Sequence, residues 1–163
     1  MIAFARIASV VLVIHVLEAC FLWPFSSYFA LIDLLLLYVA IVAAPRGAGR
    51  GGAIGAAIGL FRGLAGAGAV TAETLAFGAA AAFAGWAYRK LVGETTFGLF
   101  LILFGTVIVH DLVRGIPTLS QGLSPLFFTF VLKTVPAGIV TGGIGAGVLF
   151  LVRRAGAPQG AEA

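Results

Sequence analysis

A run of glycines is the first feature of this sequence that could carry chemistry. Residues 47–52 read GAGRGG and match the G-x-G-x-x-G fingerprint with which dinucleotide-binding proteins hold a pyrophosphate. That fingerprint requires a preceding strand and a following amphipathic helix in a soluble βαβ unit. Here an apolar run long enough for a membrane helix precedes the glycines, and the residues after them carry no charge until Arg62. The fingerprint therefore does not indicate a nucleotide site.

The same glycines recur at every fourth position, at residues 47, 51, 55, 59 and 63. A stripe of small residues on a membrane helix lets another helix approach closely, because packing rather than the hydrophobic effect holds membrane helices together. We therefore predict a helix-packing or partner-contact stripe composed of Gly51, Gly55, Gly59 and Gly63. The spacing leaves open whether the stripe packs within the chain or against another protein, and internal packing is the more common use.

Ionisable residues inside apolar runs are the second feature that could carry chemistry. There are seven of them, namely Glu18, Asp33, Arg62, Glu73, His110, Asp111 and Lys133. A charge at mid-bilayer costs about 2.5–3.5 kcal/mol, so such side chains normally face protein or water and find partners. We predict an intramembrane polar cluster of Glu18, Asp33, Arg62, Glu73, Asp111 and Lys133, in which the two cations pair with carboxylates. The alternative is that the carboxylates cap helix ends or lie at the membrane interface.

None of these residues forms a pattern that favours catalysis. The sequence has no serine elbow with a histidine partner, no H-E-x-x-H and no paired carboxylates within one short motif. His110 and Asp111 are adjacent, so we expect them to point to different helix faces and not to act together. One cysteine and two histidines provide no metal-ligand spacing. We expect a protein that is not an enzyme and that has no metal or cofactor.

The composition indicates which solvent surrounds the chain. Of 163 residues, 61% are hydrophobic and 10% are charged, and the mean hydropathy is +1.15. A soluble domain has about a quarter of its residues charged, whereas a bilayer requires helices of about 20 mostly apolar residues. We therefore predict a membrane protein, and we interpret the net charge of +4 through the positions of the cations rather than as a sign of nucleic-acid binding.

Six apolar runs predict an all-α integral membrane protein with six transmembrane helices. The runs cover residues 7–23, 28–44, 51–69, 70–88, 96–112 and 125–152. The last run is longer than a bilayer requires, and Pro136 is expected to kink or tilt it. The prediction is a single six-helix transmembrane domain at residues 1–152, followed by a short disordered cytoplasmic tail at 153–163. Residues 17–20 loosely resemble a lipoprotein cleavage box, but Glu18 fits it poorly, so we expect the first segment to be retained.

The basic residues predict the orientation of these spans, because lysine and arginine accumulate on the cytoplasmic side. With six spans, seven cations fall on the same side of the membrane, namely Arg6, Arg46, Arg50, Arg89, Lys90, Arg153 and Arg154. The other side receives Arg114 alone. Both termini are therefore predicted to be cytoplasmic, and all seven ionisable residues within the spans then lie in the outer half of the membrane. The basic loops are expected to face anionic lipids.

Residues 32–64 contain an ordered set of motifs, namely Asp33 near the outer start of the second run, Tyr38, Pro45-Arg46 and Gly55-x-x-x-Gly59-Leu60. The same features in the same order are found in the family of the rod shape-determining protein MreD of bacteria, which this segment resembles. The short chain with six spans and few soluble loops is also similar to that family. The family has an acidic residue after the glycine motif, whereas this chain has Gly63 at that position. The role of that carboxylate is therefore not carried over.

The resemblance implies a fold similar to the substrate-binding subunits of energy-coupling-factor vitamin transporters. It also implies a non-enzymatic scaffold of the cell-wall elongation machinery in the bacterial cytoplasmic (inner) membrane. Such a scaffold binds MreC through helix faces and is linked to MreB and to the glycan polymerase–transpeptidase pair. The similarity in fold leaves a second function open, a vitamin-transporter subunit with an outward-facing polar pocket.

Overall fold

The computed structural model describes residues 2–17, 33–67, 69–90, 95–117 and 123–156, and within these ranges it contains helices and no strand. The α-helices are α1 Ile2–Leu17, α2 Leu34–Ala43, α3 Gly47–Arg62, α4 Val70–Lys90, α5 Thr96–Gly115, α6 Leu123–Thr129 and α7 Val135–Gly156. A 3₁₀ turn (Ala44–Arg46) precedes α3, and π-helical segments follow α3 (Gly63–Ala67) and α6 (Phe130–Thr134). The predicted all-α class is confirmed.

Three helical stretches are long and apolar enough to cross a membrane, namely Leu34–Ala65, Thr96–Gly115 and Phe130–Leu151. The first stretch covers the second and third predicted runs, and the other two coincide with the fifth and the sixth. Helix α4 coincides with the fourth run but is not among the three, because its threonines, glycines and Glu73 lower its hydropathy. Helix α7 continues to Gly156, beyond the predicted end of the domain at residue 152, and residues 157–163 of the predicted tail lie outside the described ranges.

The first of these stretches reverses direction at Gly47. This residue has φ 76° and ψ 171°, on the positive-φ side that glycine adopts without a steric penalty. Asp33 before α2 and Arg62 at the end of α3 approach to 2.7 Å across 29 residues. A straight helix of that length would separate them by about 40 Å. Helices α2 and α3 therefore form an antiparallel hairpin.

The glycine stripe of α3 packs against α4 of the same chain. Its contacts pair Gly51 with Ala81, Gly55 with Phe77, Gly59 with Glu73 and Gly63 with Val70. A methyl group on Gly55 or Gly59 would overlap the backbone carbonyl group of its partner residue. Because the numbers fall on α4 as they rise on α3, the two helices are antiparallel. A second protein could contact this stripe only by displacing α4.

Helix α4 is the centre of the bundle, with α2, α3 and α5 packed around it. Its inward face consists mainly of fully buried alanines around Phe77. Helix α5 runs antiparallel to α4, and α7 runs antiparallel to α5. Phe100 and Phe104 of α5 stack on each other and contact Gly142 and Gly138 of α7. A central helix touches protein rather than lipid, so small side chains that allow close approach suit it better than strongly apolar ones.

Large apolar side chains cover the outside of the bundle. Leu64, Phe97 and Leu132 are each about 70% exposed, and similar residues occur on every long helix. A soluble monomer rarely exposes apolar surface on this scale. The outer surface is therefore suited to contact with lipid or with other membrane helices.

Candidate functional site: a buried ionic network

Successive antiparallel helices bring one end of α2, α3, α4 and α5 together, and most of the ionisable residues of the apolar runs meet there. We call this the ionic end and define it by Asp33, Arg62, Glu73, His110, Asp111, Arg114 and Thr134. Asp33 is the N-cap of α2, Arg62 ends α3 and Glu73 lies in the first turn of α4. Three residues of α5 and Thr134 of the second π segment complete the set.

Asp33 both caps a helix and binds a cation. One carboxylate oxygen (Oδ1) accepts a hydrogen bond from the backbone N–H of Leu36 at 2.8 Å. The other (Oδ2) lies 2.7 Å from Nη1 of Arg62, whose guanidinium also lies over the ring of Phe77 at 5.3 Å. The two roles that the sequence left as alternatives, capping and ion pairing, are therefore combined in one side chain.

Glu73 is the most deeply buried carboxylate of the network, with 1% of its side chain exposed. Its Oε1 lies 3.0 Å from Nε of Arg114, and its Oε2 lies 4.0 Å from Nε of Arg62. The Nε2 of His110 is 3.9 Å from the same Oε2, too far for a direct hydrogen bond. From the sequence, Arg114 is expected only as a cation of the loop after the fifth run. Its spacing of four residues from His110, which places both on one helical face, is the signal that could have assigned it here.

His110 and Asp111 contact each other directly, although their adjacency predicts that they point to different helix faces. Nδ1 of His110 lies 2.9 Å from Oδ1 of Asp111, and Thr134 donates its hydroxyl to Oδ2 of Asp111 at 2.8 Å. Adjacent residues leave a helix in different directions, but the Asp111 carboxylate turns back towards the imidazole. Phe77 holds the other side of the ring in a T-shaped contact at 4.8 Å.

The structure brings together four of the six residues predicted for the polar cluster, namely Asp33, Arg62, Glu73 and Asp111. Lys133 is exposed, and its predicted pairing with a carboxylate is not seen among the described residues. Its neighbour Thr134 faces inward instead, because the π-helical segment alters which residues face the bundle. Glu18 lies outside the described ranges. His110, Arg114 and Thr134 join the network although they were not predicted as members.

The network joins ionisable groups at the ends of four helices, and Thr134 of the π-helical segment adds a neutral hydroxyl. Within the described ranges it contains three carboxylates, two guanidinium groups and one imidazole, and no group of three or more potential metal ligands occurs there. Buried ion pairs of this kind are stable only as sets, because removal of one member leaves an uncompensated charge in a medium of low dielectric constant. The arrangement therefore fastens the ends of α2, α3, α4 and α5 to one another.

No protein-family model matches the chain, and searches of curated proteins and of solved structures give no match. The function is therefore inferred from the residues of this chain and their geometry.

Proposed function

We propose that this protein is a non-enzymatic scaffold subunit of the bacterial cell-wall elongation machinery, similar to MreD, and that it binds MreC through helix faces. The observation that carries the proposal is that the charged groups of the ionic end pair with one another. Glu73 and His110 are each about 1% exposed, whereas a ligand site presents polar groups to a concave opening. The residues that carry the MreD resemblance form the α2–α3 hairpin that Asp33 and Arg62 close.

The same proposal includes six spans with both termini in the cytoplasm. It is supported by the separation of charge along the bundle. Arg46 and Arg50 lie at the α2–α3 turn, and Arg89 packs against Gly47 at that same end. All three acidic residues of the described ranges lie at the opposite, ionic end. Such a division favours an arginine-bearing end in the cytoplasm.

Cysteine labelling in intact cells tests this orientation. Cys20 is the only cysteine, so a Cys20→Ser background permits single probes at Gly49→Cys, at the arginine-bearing turn, and Ile116→Cys, beyond the ionic end. Both positions are exposed. We expect a membrane-impermeant maleimide to label the probe at 116 and to label the probe at 49 only after the cells are opened. Labelling of position 49 in intact cells would refute the orientation.

The partner surface must avoid the glycine stripe of α3, which α4 occupies. Gly55 or Gly59 substitutions would therefore test the fold rather than the contact with MreC. Helix α7 has two glycines one turn apart, Gly143 and Gly147, whose positions have no neighbouring atom within 4 Å. Such open spacing allows close approach of another membrane helix.

We expect Gly143→Leu and Gly147→Leu to weaken copurification of MreC by about tenfold or more while the helical content and thermal stability of the scaffold stay unchanged. The measurement is a mild-detergent pull-down from cells that produce both proteins. Gly49→Leu, another glycine with open space around it, is the matched control and should retain MreC. Equal recovery of MreC with all three variants would exclude this face of α7.

A vitamin-transporter subunit is the second candidate function, and one observation favours it. Oε2 of Glu73 and Nε2 of His110 are buried without a hydrogen-bond partner in the described part of the chain. A polar small molecule could use these atoms if the ionic end opened. Thermal stabilisation by a specific vitamin, lost in Arg62→Ala, would support the transporter function and contradict the scaffold. Recovery of a single-pass protein without a small molecule would support the scaffold.

A further inference from the structure

The end of the bundle opposite the ionic end carries exposed cations from two separate connections. We call it the arginine end and define it by Arg46, Arg50, Arg89 and Lys90, all of which are exposed. The first two flank the turn between α2 and α3, and the other two end α4. The two pairs are at least 39 residues apart in sequence. The antiparallel packing of α3 on α4 places them side by side.

Backbone contacts hold these two connections together. The backbone of Gly85 lies against that of Gly47, and the guanidinium of Arg89 also lies against Gly47. Arg46 is anchored on its own helix, since its guanidinium donates to the carbonyl of Val42. The two helix ends that carry the four cations are therefore held at a fixed relative position.

The position of this surface relative to the membrane follows from its apolar neighbours. Trp86 is 51% exposed and lies one helical turn before Lys90 on α4. Exposed tryptophan side chains of membrane proteins concentrate at the level of the lipid headgroups. The cations beyond Trp86 therefore lie where lipid phosphates are, and no acidic residue of the described ranges accompanies them; Glu94 lies outside those ranges.

We propose that the arginine end binds the headgroup phosphates of anionic phospholipids. Guanidinium groups hold phosphate oxygens through paired hydrogen bonds, and basic residues at a membrane surface attract anionic lipid. The inference requires a membrane-embedded bundle but does not depend on the scaffold role. A failure of lipid binding would therefore leave the proposed contact with MreC untouched.

Fluorescence quenching by brominated lipids tests this proposal at the site itself. The chain has two tryptophans, so Trp23→Phe leaves Trp86 as the sole reporter. The protein is reconstituted into phosphatidylcholine that contains a fixed fraction of either brominated phosphatidylglycerol or brominated phosphatidylcholine. We expect stronger quenching by the brominated phosphatidylglycerol, and a loss of that preference as salt screens the cations.

The variant Arg50→Gln/Lys90→Gln should reduce the preference for phosphatidylglycerol by up to roughly fivefold for each cation removed. Lys133→Gln, which removes an exposed cation near the ionic end, is the matched control and should keep the full preference. Equal quenching by both lipids in the parent protein would overturn the proposal. A preference that persists in the double variant and at high salt would also overturn it. So would a loss of preference in Lys133→Gln as large as that in the double variant.

Discussion

Alanine at Gly55 or Gly59 is expected to destabilise the protein by about 1–3 kcal/mol, the usual cost of forcing an extra methyl group into a packed interior. At Gly55 the methyl group would meet the carbonyl group of Phe77 and the side chain of Ala81, and at Gly59 it would meet the carbonyl group of Glu73. These are backbone and short side-chain atoms, which cannot rotate away. Helices α3 and α4 would have to separate.

The measurement is the free energy of unfolding in mixed micelles with increasing sodium dodecyl sulfate, followed by circular dichroism. Gly59→Ala should cost more than Gly55→Ala, because a shift of Glu73 also disturbs the ionic network. Gly49→Ala on the same helix is the matched control, since no atom lies within 4 Å of that position. Alanine is favoured over glycine in helices by up to about 1 kcal/mol, so this control should be neutral or more stable. Equal effects at all three positions would mean that close packing is not what these glycines provide.

Leucine at Arg62 is expected to lower the free energy of unfolding by about 3 kcal/mol, the lower end of the range for breaking a buried ion pair. The replacement removes the 2.7 Å contact with Asp33 and the cation–π contact with Phe77. It also leaves the carboxylate of Glu73 with only Arg114 as a cation of the network. The side chains of Arg62 and Asp33 are 15% and 24% exposed, which limits the cost.

A double-mutant cycle with Asp33→Asn isolates the ion pair in this effect. Asparagine caps helices as well as aspartate does, so the hydrogen bond to Leu36 is retained while the negative charge is lost. The double variant Asp33→Asn/Arg62→Leu should therefore be less destabilised than the sum of the two single variants. Additivity within about 0.5 kcal/mol would show that the two residues are not energetically coupled. The loss in Arg62→Leu would then come from contacts other than that with Asp33, including those with Phe77 and Glu73.

Much of the ionic end could be anticipated because charges in apolar runs are costly and antiparallel helices alternate direction. Asp33, Arg62, Glu73 and Asp111 were expected on one side of the membrane from run order alone, and they meet at one end of the bundle. Arg114 was missed because it lies just beyond the end of the fifth run, and Thr134 was missed because it carries no charge. The pairing predicted for Lys133 is not seen among the described residues, which do not include Glu18, and the π-helical segment turns its neighbour Thr134 inward instead.

The amino-acid sequence by itself determined the helical class, the apolar surface and the placement of Asp33, Glu73 and Asp111 at the end opposite Arg46 and Arg50, because these depend on composition and on the order of residues along each run. It also determined that a stripe of glycines would permit close approach. Only the tertiary structure decided that α4 fills this stripe, that Asp111 turns back to His110 and that Arg89 joins the α2–α3 turn. Those outcomes depend on which helix packs against which face and in what register, and spacing within one segment carries no information about its neighbour.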